Sequence, residues 1–367
     1  MKISDIAEVI NETVKEPSKS GIDVFVGLEH YDIAEPVIKR FGSTQMLSTA
    51  AKVFNKGDVL IARRNVYLQR AAMAPFSGLT SGDSIVLRVK DNFDTKETDF
   101  ETMSKLLPFI LNSIDFWDYA NTNADGTMSK RLSPALLLDY EFDLPSIEEQ
   151  KLRAEKLWAA YEVKQSYLKM IKATQEMVQS QFIEEFGKTI NRVSLSSLCD
   201  TFIDGDWIEA KDQSESGIRL IQTGNVGVGI FKDKGEKARY ISEETFNHLN
   251  CTEVVEGDVL ISRLPDPVGR ACIIPGGLGK TITAVDCTIL RLKDLTLPKF
   301  FIAFTNTPDY AMQIKKVLSG TTRLRVSRTN LGNIEVPLPS FEEQLRFVSI
   351  AHQADKSEKC CEIRLAG

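Results

Sequence analysis

The sequence predicts an α+β protein in which two similar mixed α/β domains are separated by long helices. Three observations lead there. The run LPSIEEQ at 144–150 returns as LPSFEEQ at 338–344. The run GDVLIAR at 57–63 returns as GDVLISR at 257–263, with one substitution. Each LPS run then opens a charged stretch with apolar residues at helix-like intervals.

Taken in order, residues 1–143 read as the first mixed domain. Segments 24–28 and 58–62 are apolar enough for buried strands, 84–89 alternates as a half-buried strand would, and one helix is expected over 103–119. A central helical spacer follows at 144–187. Ser146 is the candidate N-cap and Glu149 can close a capping box, with Pro145 stopping the preceding strand. Leu152, Leu157, Ala160, Val163, Tyr167, Leu168, Ile171, Met177, Val178 and Phe182 form an apolar series that ends near Gly187. About forty residues at ~1.5 Å each make a rod of roughly 60 Å. A rod with one apolar stripe needs a partner. The second start supplies one at 338–367, where Ser340 and Glu343 repeat the cap and Leu345, Val348, Ala351 and Ala354 repeat the stripe.

Residues 188–337 repeat the first domain. Arg70, Ala71 and Pro75 return as Arg270, Ala271 and Pro275; Asp83 and the run 86–91 return as Asp286 and 289–294. Gly126, Thr127, Arg131, Ser133 and Glu141 return as Gly320, Thr321, Arg325, Ser327 and Glu335. The blocks keep their order, so the unit is duplicated. Between them the copies diverge: RNVYLQ at 64–69 stands against LPDPVG at 264–269. A scaffold kept twice with different tips suggests two versions of one task.

Composition bounds the function. The chain has 367 residues, 43% hydrophobic and 26% charged, which is ordinary for a water-soluble protein with room for two cores. It contains no apolar run of membrane-spanning length, and its start has no signal-peptide pattern, so the expected location is the cytoplasm with no membrane partner. Six cysteines without CxxC spacing and three histidines indicate neither a zinc site nor a disulfide framework. A formal net charge of -6 argues mildly against free-standing nucleic-acid binding, although a local basic stripe can coexist with acidic surface elsewhere.

That stripe is the sharpest chemical clue. In GTTRLRVSR at 320–328, an extended chain would put Arg323, Arg325 and Ser327 on one face and Leu324 and Val326 on the other. Thr321, Arg323, Arg325, Ser327 and Arg328 can then donate to phosphates or base edges. The ordinary account of such a run is a solvated strand face; the absence of an acidic residue favours DNA. The first copy, 126–133, offers Thr127, Lys130 and Arg131. Arg63, Arg64 and Arg70 extend its surface, with Asn65 and Gln69 capable of paired hydrogen bonds to adenine. Arg263, Arg270 and Lys280 extend the second, and some of these residues are expected to be structural.

Catalysis finds little support. GGLGKT at 276–281 looks like the end of a phosphate-binding loop, but Ile274 stands where the pattern needs glycine, and a hairpin turn is the expected structure. The glycines of 224–229 are in the wrong order for a dinucleotide fingerprint. HExxH, GxSxG and the Asn-Pro-Pro-aromatic run of amino-methyltransferases are missing. Glu162-Val163-Lys164 resembles a nuclease fragment only superficially.

Assembled, these motifs resemble the specificity subunit of type I restriction-modification systems over nearly the whole chain. The resemblance implies two target-recognition domains at opposite ends of an antiparallel helix pair in a pseudo-twofold arrangement, each reading one half of a split asymmetric site in double-stranded DNA. It implies no catalytic centre and no cofactor or metal in this chain. Its partners would be two methyltransferase subunits and the restriction subunits, to which S-adenosylmethionine, ATP and magnesium belong. One feature departs from the pattern: the second helix has about twenty-six residues against about forty in the first. Part of the first stripe would then be covered by a methyltransferase subunit, unless the chain is shortened. Two other classes stay open, a scaffold whose duplicated domains grip proteins and a nucleotide-binding enzyme built on residues 276–281.

Overall fold

The computed structural model describes residues 1–45, 47–91, 95, 97–127, 129–321 and 323–366, with side chains as far as Ala354. Met128 and Thr322 of the two basic segments, Gly367, and the side chains of Cys360 and Cys361 lie outside the described residues. The chain divides into two compact units, Met1–Val163 and Lys164–Gly367.

The first unit opens with α1 (Ile3–Ile6), β1 (Ala7–Ile10), β2 (Thr13–Val14), β3 (Val24–Val26), β4 (Gly42–Ser43) and β5 (Ala51–Phe54). It continues with β6 (Val59–Ala62), β7 (Ala71–Met73), β8 (Gly78–Thr80) and β9 (Ser84–Val89). The described strands make an antiparallel sheet in the order β1-β9-β6-β7 and a mixed sheet β2-β5-β8-β3-β4. Helices α2 (Phe100–Ile110), α3 (Ile114–Asn123) and α4 (Pro134–Leu138) follow. The single helix expected over 103–119 is therefore two. The chain breaks at Leu111–Ser113, where the Ser113 hydroxyl accepts from Phe116 N at 3.2 Å and caps a new start.

Strand β9 is not half-buried as its alternation suggested; five of its six residues are buried. Both of its faces meet a core. Ile85 and Leu87, with Ile61, pack against Met103, Leu107, Phe116 and Trp117 of the helices. Val86, with Leu60, faces Val26 and Phe54 of the second sheet. The β9–β6 sheet is thus a middle layer between helices and a second sheet.

The boundary between the units falls within α5 (Ile147–Phe186). The second unit then adds β10 (Arg192–Ser194), β11 (Cys199–Asp204), β12 (Gln213–Ser214), β13 (Ile218–Ile221), β14 (Arg239–Ile241) and α6 (Glu243–Leu249). After these come β15 (Val259–Ser262), β16 (Ala271–Ile273), β17 (Thr281–Thr283), β18 (Cys287–Leu292), α7 (Pro298–Thr305), α8 (Pro308–Lys316), α9 (Arg328–Gly332), β19 (Glu335–Pro337) and α10 (Phe341–Ala366). Its central sheet, β11-β18-β15-β16, reproduces the first one in strand order and register. Val59 pairs with Leu87 and Met73, while Val259 pairs with Leu290 and Ile273. The layering is repeated as well, with Ile261 and Leu290 facing Phe300, Phe301 and Phe304, and Leu260 and Ile289 facing Ile221 and Val226.

The repeated GDVLI run has a structural reason. Gly57 and Gly257 sit at φ +96° and +87°, a left-handed conformation that suits glycine at the turn into the strand. Asp58 then receives Arg88 Nε and Nη2 at 2.7 Å each, and Asp258 receives the same atoms of Arg291 at 2.9 and 2.8 Å. Segment 276–281 is not a hairpin turn, because β16 and β17 belong to different sheets and the loop crosses between them.

The buried face of α5 differs from the expected stripe. Leu152, Leu157, Val163, Leu168 and Met177 are exposed; Phe182 of that stripe is buried, together with Gln150, Ala154 and Phe186, which lie outside it. In the second unit α10 runs back along α5: Arg346 faces Glu185 at 3.7 Å, and Phe347 meets the Phe182 and Phe186 rings at 5.3 and 5.7 Å. Phe347 is fully buried, although it lies outside the expected stripe, and Leu345, which lies within it, is exposed. Both helix starts carry the Ser cap, with Glu149 N and Glu343 N donating to the serine hydroxyls at 3.4 and 3.3 Å. The reciprocal half of the box forms only at Ser340, whose N donates to Glu343 Oε2 at 2.8 Å; Glu149 pairs with Arg153 instead. The repeated glutamine is a docking residue. Gln150 Nε2 donates to Glu97 O and Pro145 O at 2.7 and 2.9 Å, and Gln344 Nε2 to Leu295 O and Pro339 O at 3.0 and 3.2 Å.

Among the described residues no helix is long and apolar enough to cross a membrane, and no cluster of His, Cys, Asp or Glu is placed to hold a metal ion. Cys199, Cys251, Cys272 and Cys287 are buried and unpaired, and burial pushes each thiol up to about 11 or 12. That keeps them protonated and unreactive at neutral pH.

Candidate nucleic-acid interface

Each unit carries a head at the same place, beyond the end of the GDVLI strand. In the first, Arg63 N donates to Asp83 O at 2.9 Å and Leu132 N donates to Arg63 O at 3.0 Å. In the second, Arg263 N donates to Asp286 O at 2.9 Å and Val326 N to Arg263 O at 3.2 Å. These bonds bring together the divergent tip after the strand and the basic Gly-Thr segment.

The basic segments are tight loops, not the expected extended strands. Ser319 and Arg325 exchange backbone hydrogen bonds of 2.9 and 2.8 Å, and Asp125 and Arg131 exchange bonds of 3.1 and 2.7 Å. Asp125 thus stands directly across from Arg131, and Ser319 across from Arg325. Gly126 and Gly320 make the turn possible at φ +94° and +99°. A Cβ on Gly320 would stand 2.4 Å from Arg323 O. The two-face alternation is consequently lost: Leu324 is 46% exposed, while Val326 is fully buried.

The predicted site residues fall into three groups. Some spend their donors inside the protein. Arg263 is buried and donates to Val285 O at 2.7 Å and Val326 O at 3.5 Å, with Asp204 Oδ1 3.3 Å from its Nε. Arg270 donates to Val226 O, Leu264 O, Thr223 O and Pro267 O at 2.7 to 2.9 Å, and burial lowers its pKa. Arg63 Nε bonds Leu132 O at 3.2 Å, and Arg70 bonds Leu28 O and Arg64 O at 3.0 Å each. These arginines shape the tips and do not face outward. Ser327 likewise serves as the cap of α9, its hydroxyl accepting from Asn330 N at 3.1 Å. Lys280 stands apart at the start of β17, ion-paired to Glu243 at 2.9 Å and 3.8 Å above the Phe246 ring.

The second group is held by partners: Arg64 and Arg131 are exposed but ion-paired, and Lys130 is half-buried and bound to a carbonyl. Asp83 lies 2.8 Å from Arg64 Nε and 3.6 Å from Arg131 Nη2, and Lys130 Nζ donates to Asn121 O. The third group is free to act. Thr127, Thr321, Arg323, Arg325 and Arg328 are exposed, and among the described residues the three arginine side chains make no ion pair or hydrogen bond. Asn65 accepts from Ser129 Oγ at 2.9 Å through its carbonyl oxygen, leaving its amide nitrogen available, and Gln69 is half-buried beside it.

Two supports were missed from the sequence. Tyr310, fully buried and held protonated by burial, donates its hydroxyl to Gly269 O at 2.8 Å and props up the second tip. Tyr67 stands 61% exposed on the first tip. Its exposure comes from the conformation of the turn, which no periodicity reveals.

This architecture is a layered sheet unit that occurs twice in one chain, with an outward basic loop in each copy. Residues 187–362 match the family model described as the type I restriction modification DNA specificity domain. A solved chain from work on complex assembly and conformational transition of the type I R-M system is similar across the full length of this chain and 93% of its own, with 19% identity and a TM-score of 0.53. The S subunit of a type I restriction-modification system from M. genitalium is similar over 100% of this chain and 91% of its own, with 12% identity and a TM-score of 0.53. The HsdS subunit from Thermoanaerobacter tengcongensis shares 19% identity over 100% and 91% of the two chains, with a TM-score of 0.40. No curated protein sequence matches. The match to the specificity-domain model thus lies in the second unit, and the whole chain shares the fold of these solved S-subunit chains.

Proposed function

We propose that this chain reads a split, asymmetric DNA target, one half-site per unit, and recruits methyltransferase and restriction subunits to it. The observation that carries this reading is the duplication of an entire head on one scaffold: the same strand order, register and Gly-turned basic loop occur in both units, with tips of different sequence. Equivalent scaffolds with unlike tips suit two unlike half-sites. In the second head Arg323, Arg325 and Arg328 take phosphates or guanine edges, with Thr321 beside them; in the first Asn65, Gln69, Thr127, Arg64 and Arg131 play these parts. Arg63, Arg70, Arg263 and Arg270 position the loops. The chemistry resides in the partner subunits, which supply the sites for S-adenosylmethionine, ATP and magnesium.

The test is to assemble the chain with its methyltransferase subunits, supply S-adenosylmethionine and map the methylated adenines. Methylation within two short, different blocks separated by unread bases is expected. Methylation at one contiguous palindrome would sink the reading.

A further inference from the structure

The first head carries an exposed aromatic residue outside its basic loop. We propose that Tyr67 is a specificity-determining residue, meeting a base edge in the half-site read by the first unit; this rests on the DNA-reading assignment above.

The tip is built to hold this ring outward. Tyr67 occupies the middle of a single 3-10 turn, Val66–Leu68, between Asn65 at φ +55° and Gln69 at φ +50°. Left-handed backbone disfavours residues that carry a Cβ, and persists at such positions only where the surroundings enforce it. Here they do. Val66 is buried in the helix-side core, and Leu68 N and Gln69 N each close the turn with a 2.9 Å bond to Asn65 O and Val66 O. Gln69 O accepts from Ala34 N at 3.2 Å, Asn65 Oδ1 from Ser129 Oγ at 2.9 Å, and Arg64 O from Arg70 Nη2 at 3.0 Å. Five bonds and a buried valine thus fix a turn whose one aromatic side chain, Tyr67, points to solvent.

Charge explains why this head would use a ring. Asp83 neutralises part of the Arg64 and Arg131 pair, whereas three arginines of the second head are unpaired among the described residues. A phenol supplies an apolar face for a thymine methyl and a hydroxyl for a purine or pyrimidine acceptor, neither of which depends on net charge. The second tip carries Pro265, Asp266 and Pro267 in the corresponding stretch and no aromatic residue, so this contact belongs to one half-site only.

The experiment uses the complex assembled with methyltransferase subunits and a set of duplexes in which each base pair of the mapped site is replaced in turn. Tyr67→Ala is expected to reduce discrimination about tenfold at one or two adjacent base pairs of a single half-site. The other half-site, the salt dependence of binding and the thermal midpoint should stay as in the wild type. Equal weakening on every duplex, or no change on any, would overturn the proposal. A wild-type complex that discriminates at no base pair would overturn the underlying DNA-reading assignment, and this result needs no variant.

Discussion

Replacing Arg325 with alanine separates a DNA contact from a structural role. Its guanidinium is exposed and makes no side-chain hydrogen bond or ion pair among the described residues, so its removal leaves no buried group behind. The cost to folding should stay within about 0.5 kcal/mol. Each lost phosphate contact lowers the slope of log affinity against log salt by about 0.9. A fourfold rise in salt would therefore erode wild-type affinity about 3.5-fold more than that of Arg325→Ala, and about 12-fold more than that of the Arg323→Ala/Arg325→Ala double variant. Arg263→Ala is the contrast. The residue is 5% exposed, and its removal takes the donors from the carbonyls of Val285 and Val326 and the cation from beside the Asp204 carboxylate, which keeps its bond from the Thr288 hydroxyl. A cost of about 2–4 kcal/mol follows, or a midpoint roughly 5–15 °C lower for a unit of this size. Fluorescence anisotropy of the assembled complex between 50 and 200 mM salt, alongside thermal melts, distinguishes the two. If Arg325→Ala left both the salt slope and base discrimination untouched, or melted like Arg263→Ala, the sorting of arginines would be wrong.

Other consequences follow from the same geometry. Asp58→Asn and Asp258→Asn each remove a buried carboxylate bound by one arginine and one backbone N–H, and should cost roughly 2–3 kcal/mol after allowing for the partly exposed arginines. Calorimetry should show each substitution weakening chiefly its own unit; identical losses throughout the chain would contradict independent cores. Asp99 accepts from Thr102 N at 2.7 Å, and this bond, with Lys151 at 3.1 Å, depresses its pKa from 3.8 to about 2. Because the folded value is the lower one, the stabilisation is complete above pH 4 and disappears as pH falls through 2. Asp99→Ala should therefore cost about 1 kcal/mol at pH 7, with the gap to wild type closing below pH 4 in melts taken across that range. Phe347→Ala should cost about 3–5 kcal/mol, since its ring is fully buried among Phe182, Phe186 and Phe300; a midpoint shift of under 2 °C would show that α10 is not part of that core.

The duplication was legible because the same words recur: GDVLI encodes a glycine turn and a buried aspartate that pairs with an arginine, and LPSxEEQ encodes a cap and a docking glutamine. These are local constraints with local signatures. The α5 stripe was misread because apolar residues along a long helix do not say which turns meet a core. Ala154 and Phe182 do so, while Leu157 and Leu168 do not. Likewise, no spacing reveals that Arg263 points inward and Arg325 outward. Both are arginines with an aliphatic neighbour in sequence, and only the turn at Gly320 and the carbonyls waiting at Val285 and Val326 distinguish them. Tyr67 was passed over for a related reason, since left-handed backbone at Asn65 and Gln69 has no sequence periodicity.

A footprint of the assembled complex on its mapped target, taken with wild type and with heads altered one at a time, probes most directly whether each unit carries its own reading head. Two protected blocks are predicted. Arg323→Ala/Arg325→Ala should thin one of them, and Tyr67→Ala should relax base discrimination within the other. A single continuous block, or either variant disturbing both blocks alike, would contradict it.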